Sequence, residues 1–200
     1  MPRQIDHDSR RRHIADAVLQ LADESGLEGV TLRDVAARAD VSMGAVQRCF
    51  RTKEEMLVFA LRQVGARVSS RIGASIGASP AQSARTVLGH ALTEVTLIGE
   101  PHRAEARVWL AFVAQAAVTP ALAATLRENY ASLHTLLVRL VTEAVPGITA
   151  EDAACEARTF LALADGLTTH LLIGHLSPAD ALTVLDDRLT RLWQRDDPRT

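Results

Sequence analysis

Apolar side chains recur every three or four residues through most of the 200-residue chain, which is the spacing of one face of an α-helix. Alanine and leucine fill most of these positions, and aromatic residues make up only 4% of the sequence. No convincing segment alternates apolar and polar residues between turn signals, so the pattern does not predict a β-sheet. The expected fold class is all-α, with about nine helices.

Capping residues and prolines place the expected helix boundaries. The first helix starts near Ser9 and ends near Gly26, two short helices start at Thr31 and Ser42, and a longer one starts at Thr52. A short flexible connection is expected from Gly73 to Ser79, and a polar tail from Arg195. The five remaining helices are predicted at about residues 80–98, 102–117, 120–144, 150–173 and 178–194.

The segment from Thr31 to Phe50 has the pattern of a helix-turn-helix, in which two short helices are joined by a turn of three or four residues. Asp40 falls in the turn, where a left-handed backbone conformation is needed, and Asp tolerates that conformation better than most residues. A helix-turn-helix places its second helix in the major groove of DNA. The alternative is that two short amphipathic helices merely form part of an all-α core.

The surface of this segment suits DNA. Hydroxyls and free N–H groups at the starts of the two helices can meet phosphates, and glutamine and arginine can read adenine and guanine. Met43 and Ala45 are expected to point outward, Gly44 allows close approach of the backbone, and Lys53 can bind a phosphate. Backbone charge could also come from Arg10–Arg12 and Arg51. The predicted DNA-binding residues are Thr31, Arg33, Ser42, Met43, Gly44, Ala45, Gln47, Arg48 and Lys53.

The first 60 residues resemble the TetR-type transcriptional regulators. The resemblance begins at Arg12-His-Ile14-Ala-Asp-Ala17 and closes on Lys53-Glu54-Glu55-Met-Leu57. Between these ends it is carried by Gly26, Thr31, Val35-Ala36, Ala39, Val41-Ser42, Gly44 and Phe50. The resemblance implies a DNA-binding domain over residues 1–55 and a ligand-binding and dimerisation domain over residues 56–200. It also implies a homodimer that binds a palindromic operator, most often as a repressor released by a small molecule.

Two positions depart from the family pattern. Asp40 stands where the family usually has glycine, and Gln47 stands where it usually has a phosphate-contacting tyrosine. Lys53, the only lysine of the chain, falls at the family's phosphate-contacting lysine. The departure at Gln47 leaves open what this position and Arg48 contact on the DNA.

The segment Glu105-Ala-Arg-Val-Trp-Leu-Ala-Phe112 resembles the C-terminal domain of BetI-like members of the family, whose ligands vary. Trp109 and Phe112 share one helical face, which forms either ordinary core or the wall of a ligand pocket. A carboxylate near aromatic rings would favour a cationic ligand. The candidate ligand-binding residues are Trp109, Phe112, Glu94, Tyr130, His134 and Asp165.

The last two predicted helices, about 150–173 and 178–194, are the expected dimer interface. The first of them is apolar around more than one face, so it needs cover on two sides. The family pairs its last two long helices in the dimer. A symmetric dimer would then present two recognition helices to successive major grooves of a palindrome.

Charge, hydropathy and the scattered histidines and cysteines narrow the range of functions expected for the chain. The net charge of −2 does not itself indicate a nucleic-acid partner. No membrane span, cofactor, metal site or enzymatic motif is predicted, and the chain is expected in the cytoplasm. His170 and His175 are five residues apart and are not expected to converge on a metal. Cys49 is either a redox sensor or a small buried side chain. A DNA-binding regulator without a small ligand remains the second hypothesis.

Overall fold

The computed structural model describes residues 2–77, 83–99 and 102–194, and within them the chain forms helices and no strands. The all-α prediction is confirmed. In chain order the helices of the described residues are α1 Pro2–Ser25, α2 Leu32–Arg38, α3 Met43–Cys49, α4 Lys53–Gly77, α5 Ala84–Val95, α6 Arg103–Ala116, α7 Pro120–Ala144, α8 Ala150–Leu172 and α9 Pro178–Gln194.

Two predicted boundaries were wrong, and a third falls outside the described residues. Helix α1 begins at Pro2 rather than near Ser9, because proline suits the first turn of a helix and the cap at Ser9 is not used. Helix α4 continues to Gly77, so the connection expected from Gly73 is helical up to that residue. Helix α5 begins at Ala84, with Ser83 as its N-cap. The start that was expected at Pro80 lies outside the described residues.

Side-chain caps explain where several helices begin. The hydroxyls of Thr31, Ser42, Ser83 and Thr149 each accept a hydrogen bond from the backbone N–H three residues later. Such a bond satisfies one of the N–H groups that have no partner inside the helix. Thr52 does the same for the N–H of Glu55, at 3.0 Å. The capping patterns read from the sequence at Thr31, Ser42, Thr52 and Thr149 are therefore confirmed.

The chain divides into two compact units. The first comprises residues 1–66 and 104–129, which include α1–α3, the first half of α4, α6 and the start of α7. The division expected at residue 55 stays a prediction. Large side chains that are fully buried in the residues of this unit are Ile14, Phe50, Met56, Leu61, Phe112 and Leu122.

The second unit comprises residues 67–103 and 130–200. Its core is a continuous cluster of buried side chains from the end of α4, from α5, from most of α7, and from α8 and α9. The Glu156 carboxylate is buried in this unit and accepts a hydrogen bond from the guanidinium of Arg188, which joins α8 to α9. The hydroxyl of Thr168 donates to the carbonyl of Thr96 at 2.8 Å and joins α8 to the end of α5.

The turn after α8 brings His170 and His175 close together. Helix α8 ends at Leu172, and Gly174 adopts a left-handed conformation with φ 71°. The chain therefore folds back, and the His175 N–H donates to the carbonyl of His170 at 2.9 Å. The two imidazole rings therefore lie with their centroids 4.8 Å apart.

None of the helices in the described part of the chain has the length and apolar character needed to cross a membrane.

Candidate nucleic-acid interface

Helices α2 and α3 and the turn Ala39–Ser42 form the predicted helix-turn-helix. Asp40 has φ 50°, which confirms the left-handed residue expected in the turn. This conformation lets the Val41 N–H donate to the carbonyl of Ala36 at 3.0 Å and close the end of α2. Val35 and Val46 are fully buried, so each helix directs one valine into the core and leaves its opposite face outside.

The two hydroxyls expected to meet phosphates also cap their helices. The Thr31 Oγ1 accepts the N–H of Asp34 at 3.2 Å and donates to the Asp34 carboxylate at 2.6 Å. The Ser42 Oγ accepts the N–H of Ala45 at 3.2 Å. Ser42 keeps its hydroxyl proton available for an outside acceptor, whereas Thr31 must release Asp34 before it can donate to a phosphate.

The outer face of α3 carries residues that are predicted to contact the base edges of DNA. The side chains of Met43, Gln47 and Arg48 are exposed. A Cβ added at Gly44 would lie 3.5 Å from the Arg48 Nη1, so the guanidinium of Arg48 extends back over this glycine. The expectation that Ala45 points outward was wrong: it is 9% exposed, because it lies one turn before the buried Cys49 and shares its helix face.

Two further predicted DNA-binding residues, Lys53 and Arg33, lie outside α3. The Lys53 Nζ donates to the carbonyl of Leu27 at 3.1 Å, and the lysine side chain is half-buried. One of its three protons is used in this bond, so the ammonium group can donate to a phosphate as well. Arg33 is exposed at the start of α2. The DNA contacts of both residues stay predictions.

Helix α1 holds the helix-turn-helix in place through two side-chain contacts. The His13 ring donates from Nε2 to the carbonyl of Ala39 at 2.8 Å, because a carbonyl oxygen can only accept. The Arg38 guanidinium donates to both carboxylate oxygens of Glu24, at 2.8 and 2.6 Å. The hydrogen bond from Arg38 lowers the pKa of Glu24 and raises that of the guanidinium. Arg38 is therefore engaged within the protein. Cys49, at the end of α3, is buried.

Four candidate ligand-binding residues lie in the second unit, where they make separate contacts. The Tyr130 hydroxyl donates to the Asp165 carboxylate at 2.5 Å, which brings α7 and α8 together. Burial, together with this bond, raises the pKa of Tyr130. The Glu94 carboxylate pairs with the Arg71 guanidinium at 2.8 Å. His134 bonds through Nε2 to the carbonyl of Ala154 at 3.2 Å.

The two aromatic candidates lie in the first unit, on α6. Phe112 is fully buried, whereas Trp109 is half-buried. Full burial is what a core side chain shows, and it is also compatible with the wall of an enclosed pocket. Their role in ligand binding stays a prediction.

A groove between α5 and α9 was missed by the sequence reasoning. It has a volume of about 600 Å³. Gly89 is one of its lining residues, and a Cβ added there would be 3.9 Å from the Leu189 Cδ1. At one end the guanidinium of Arg85 lies 5.0 Å from the centre of the Trp193 ring. The pairing of these two helices, which no sequence pattern signals, creates the groove.

A helix-turn-helix with an exposed second helix, carried on an all-helical chain, defines a helix-turn-helix DNA-binding protein. Residues 14–58 match the model for bacterial regulatory proteins of the tetR family, and residues 84–194 match the model for the C-terminal domain of BetI-type transcriptional repressors. The second match alone spans more than half of the chain. The chain belongs to the TetR family of transcriptional regulators and has a BetI-type C-terminal domain.

Relatives support this assignment along the whole chain. It is 32% identical to the HTH-type transcriptional regulator PksA of Bacillus subtilis (strain 168), covering 96% of this chain and 90% of PksA. It is 33% identical to the HTH-type transcriptional regulator BetI of Burkholderia cenocepacia, covering 98% of this chain and all of BetI. These relatives are regulators, and the chain is likewise a regulator and not an enzyme.

Solved structures share the fold. A transcriptional regulator from Rhodococcus sp. Rha1 superposes with a TM-score of 0.82 at 32% identity, covering 94% of this chain and 98% of that one. A transcriptional regulator from Saccharomonospora viridis, solved in complex with choline, superposes with a TM-score of 0.80 at 22% identity. That match covers 92% of this chain and 96% of the other, and it bears on the fold alone.

Proposed function

We propose that this regulator is a repressor that binds a palindromic operator as a homodimer and is released from DNA by a small-molecule effector. The observation that carries the proposal is the outer face of α3. Met43, Gln47 and Arg48 lie exposed there, on a helix whose inner side is fixed by the buried Val46. These side chains match the groups that base edges present in the major groove. Binding would take place in the cytoplasm, where the bacterial chromosome lies.

Exposed apolar side chains at the end of α8 and on α9 support the dimer. Ile173, at the end of α8, is 71% exposed, and Leu182 on α9 is also exposed. Apolar surface of this kind is stabilised when a partner removes it from water. We expect Leu182→Glu to shift the chain from dimer to monomer in sedimentation equilibrium. Val118→Glu is the matched control, because Val118 is exposed in the first unit. A monomeric wild type, or an unchanged dimer with Leu182→Glu, would contradict the interface.

The effector proposed for this regulator is a small cation. The support is the Asp165 carboxylate, held at 2.5 Å by the half-buried Tyr130 hydroxyl. The negative charge of a carboxylate attracts cations, and an aromatic ring nearby can add a cation–π attraction. We expect quaternary ammonium compounds, choline among them, to raise the melting temperature more than carboxylates of similar size do. Asp165→Asn should remove that preference. A stronger response to anions would reject a cationic effector.

The proposed release mechanism is a shift between two conformations. A ligand moves such an equilibrium only when it binds the two states with different affinity. The Arg107 guanidinium on α6 donates to both carboxylate oxygens of Asp23 on α1, at 2.6 and 3.1 Å. This pair connects α6 to the helix that holds the helix-turn-helix. It supports α6 as the element through which an effector would act on DNA binding.

A reporter fused to the operator tests repression, and fluorescence anisotropy tests release. We expect deletion of the regulator to raise reporter expression, and the effector that raises the melting temperature to weaken DNA binding. An effector that stabilises the protein without weakening DNA binding would favour the second hypothesis, a regulator without ligand-driven release. Lower expression after deletion would identify an activator.

A further inference from the structure

Arg11 lies at a junction of three elements in the first unit. Its guanidinium carbon is 4.7 Å from the centre of the Phe50 ring and 4.6 Å from the centre of the Phe59 ring. The two rings are 5.5 Å apart and tilted by 58°. Phe50 directly follows α3, Phe59 belongs to α4 and Arg11 belongs to α1. The Arg11 guanidinium on α1 therefore contacts the residue that follows the recognition helix α3 and one residue of the next helix, α4.

A single carboxylate closes the junction. The Glu55 Oε1 accepts from the Arg11 Nη2 at 3.3 Å, and the Glu55 Oε2 accepts from the backbone N–H of Arg51 at 2.9 Å. The Arg11 side chain is only 24% exposed, and its Nε is buried without a hydrogen-bond partner. Its guanidinium carbon lies over both aromatic rings, while its Nη2 faces the carboxylate.

Phe50 transmits the position of this junction to α3. Its side chain is 1% exposed, and its backbone N–H donates to the carbonyl of Val46 at 2.9 Å. A displacement of the Phe50 ring would therefore shift the end of the helix that carries Gln47 and Arg48. Base reading depends on the placement of these side chains, because bidentate hydrogen bonds to base edges tolerate little misalignment.

We propose that Arg11 is a positioning residue, which fixes the angle of the recognition helix and does not bind a phosphate. An arginine can fill this site because its guanidinium is planar and stacks on aromatic faces, whereas a lysine ammonium is a compact, strongly hydrated point charge. If Arg11 instead bound a phosphate, lysine could replace it, since lysine also binds phosphates well. The two roles therefore differ in how they respond to Arg11→Lys.

The experiment uses the full-length protein and a duplex enriched from a random-sequence library by the wild type. A scrambled duplex of the same composition is the reference for nonspecific binding. Affinities for both duplexes are measured by anisotropy over a range of salt concentrations. The variants are Arg11→Met, Arg11→Lys and the matched control Arg127→Met, since Arg127 is an exposed arginine of the same unit, on α7, and is not among the predicted DNA-binding residues. Circular dichroism establishes that each variant is folded at the assay temperature.

We expect Arg11→Met and Arg11→Lys each to lower affinity for the enriched duplex by about tenfold, the size of one misaligned base contact. Affinity for the scrambled duplex and the salt slope should stay at wild-type values. The proposal is overturned if Arg11→Lys binds like wild type, or if Arg11→Met changes only the salt slope, by about 0.9 per lost phosphate contact. Wild-type binding by every Arg11 variant overturns it as well.

A second variant covers the case in which Arg11→Met does not fold. Phe59→Leu removes one ring of the junction and leaves the charge of Arg11 in place. If Arg11 positions α3 through this junction, Phe59→Leu should lose its preference for the enriched duplex over the scrambled duplex while its salt slope stays at the wild-type value. A phosphate-binding Arg11 would leave that preference intact, and this result would overturn the proposal.

Discussion

Gly65 and Asn129 bring α4 and α7 unusually close together within the first unit. A Cβ added at Gly65 would lie 2.8 Å from the Asn129 Nδ2 and 2.9 Å from both its Cγ and its Oδ1. Because Cγ is among these atoms, turning the amide about its terminal bond cannot relieve the clash. The side chain must rotate nearer the backbone, or the helices must separate.

The effect of replacing a glycine of α4 by alanine on the free energy of unfolding can be estimated at Gly65 and at Gly73. Alanine in a helix interior is about 1 kcal/mol more favourable than glycine. At Gly73, also on α4, a Cβ meets nothing within 4 Å, so Gly73→Ala should realise that gain. At Gly65 the gain is opposed by about 1–3 kcal/mol of overpacking. Gly65→Ala should therefore destabilise the protein by between zero and about 2 kcal/mol.

Asn129→Ala reverses the sign of this effect. The amide Nδ2 of Asn129 is buried without a partner, so its removal also takes away an unsatisfied donor. In the Asn129→Ala background the clash is absent, and Gly65→Ala should stabilise by about 1 kcal/mol. Gly65 lies in the first unit and Gly73 in the second, so urea unfolding is followed by circular dichroism, which reports on the helices of both. Trp109 fluorescence, with Trp193 replaced by phenylalanine, follows the first unit alone, and coincidence of the two curves shows that unfolding is two-state.

Equal gains from Gly65→Ala and Gly73→Ala would refute the close approach of α4 and α7. A destabilising Gly65→Ala whose effect persists in the Asn129→Ala background would place the clash elsewhere. Only the reversal of sign between the two backgrounds identifies the Asn129 amide as the obstructing group.

Three further outcomes are expected. Arg48→Ala should reduce the preference of the protein for its operator over other DNA sequences. Lys53→Ala should instead weaken binding to all DNA sequences and reduce the salt slope by about 0.9. If both variants bound the operator as tightly as the wild type, the predicted DNA-binding surface would be contradicted. Tyr130 is the only tyrosine, so phenolate absorbance reports its ionisation directly. Its raised pKa should keep it protonated well above pH 10, and the free energy of unfolding should fall as the pH rises past 10.0, the pKa of tyrosine in the unfolded chain. Ionisation near pH 10 in the folded protein would contradict the burial of this side chain. Asp40→Gly should raise stability by up to about 1 kcal/mol in urea unfolding, because glycine adopts φ 50° without a steric penalty, and a loss of stability would show that the Asp40 side chain is needed.

The sequence predicted the helix-turn-helix well because its signals are local. A hydroxyl cap such as Thr31 or Ser42 needs only the N–H three residues later, and the turn needs only a residue that tolerates the left-handed conformation. Resemblance to the family then supplied the function. The expectation that failed here, an outward-facing Ala45, concerned the edge of a helix face, where one position decides burial.

Contacts between distant segments could not be predicted in this way. Arg11 is adjacent to two other arginines in the sequence, and nothing local indicates that its guanidinium lies between Phe50 and Phe59. The Tyr130 and Asp165 pair and the groove at Gly89 likewise depend on which helices become neighbours. These contacts are set by packing, which a single sequence does not specify at the level of residue pairs.

The central claim is that α3 reads a palindrome through its exposed face. The most direct measurement is selection from a random duplex library by the wild type and by Arg48→Ala, carried out in parallel. We expect the wild type to enrich a palindrome whose half-sites are centred about 10 base pairs, or a multiple of this, apart. Arg48→Ala should keep that spacing and lose sequence preference within each half-site. Enrichment of the same motif by both proteins, or of no motif by the wild type, would contradict the claim.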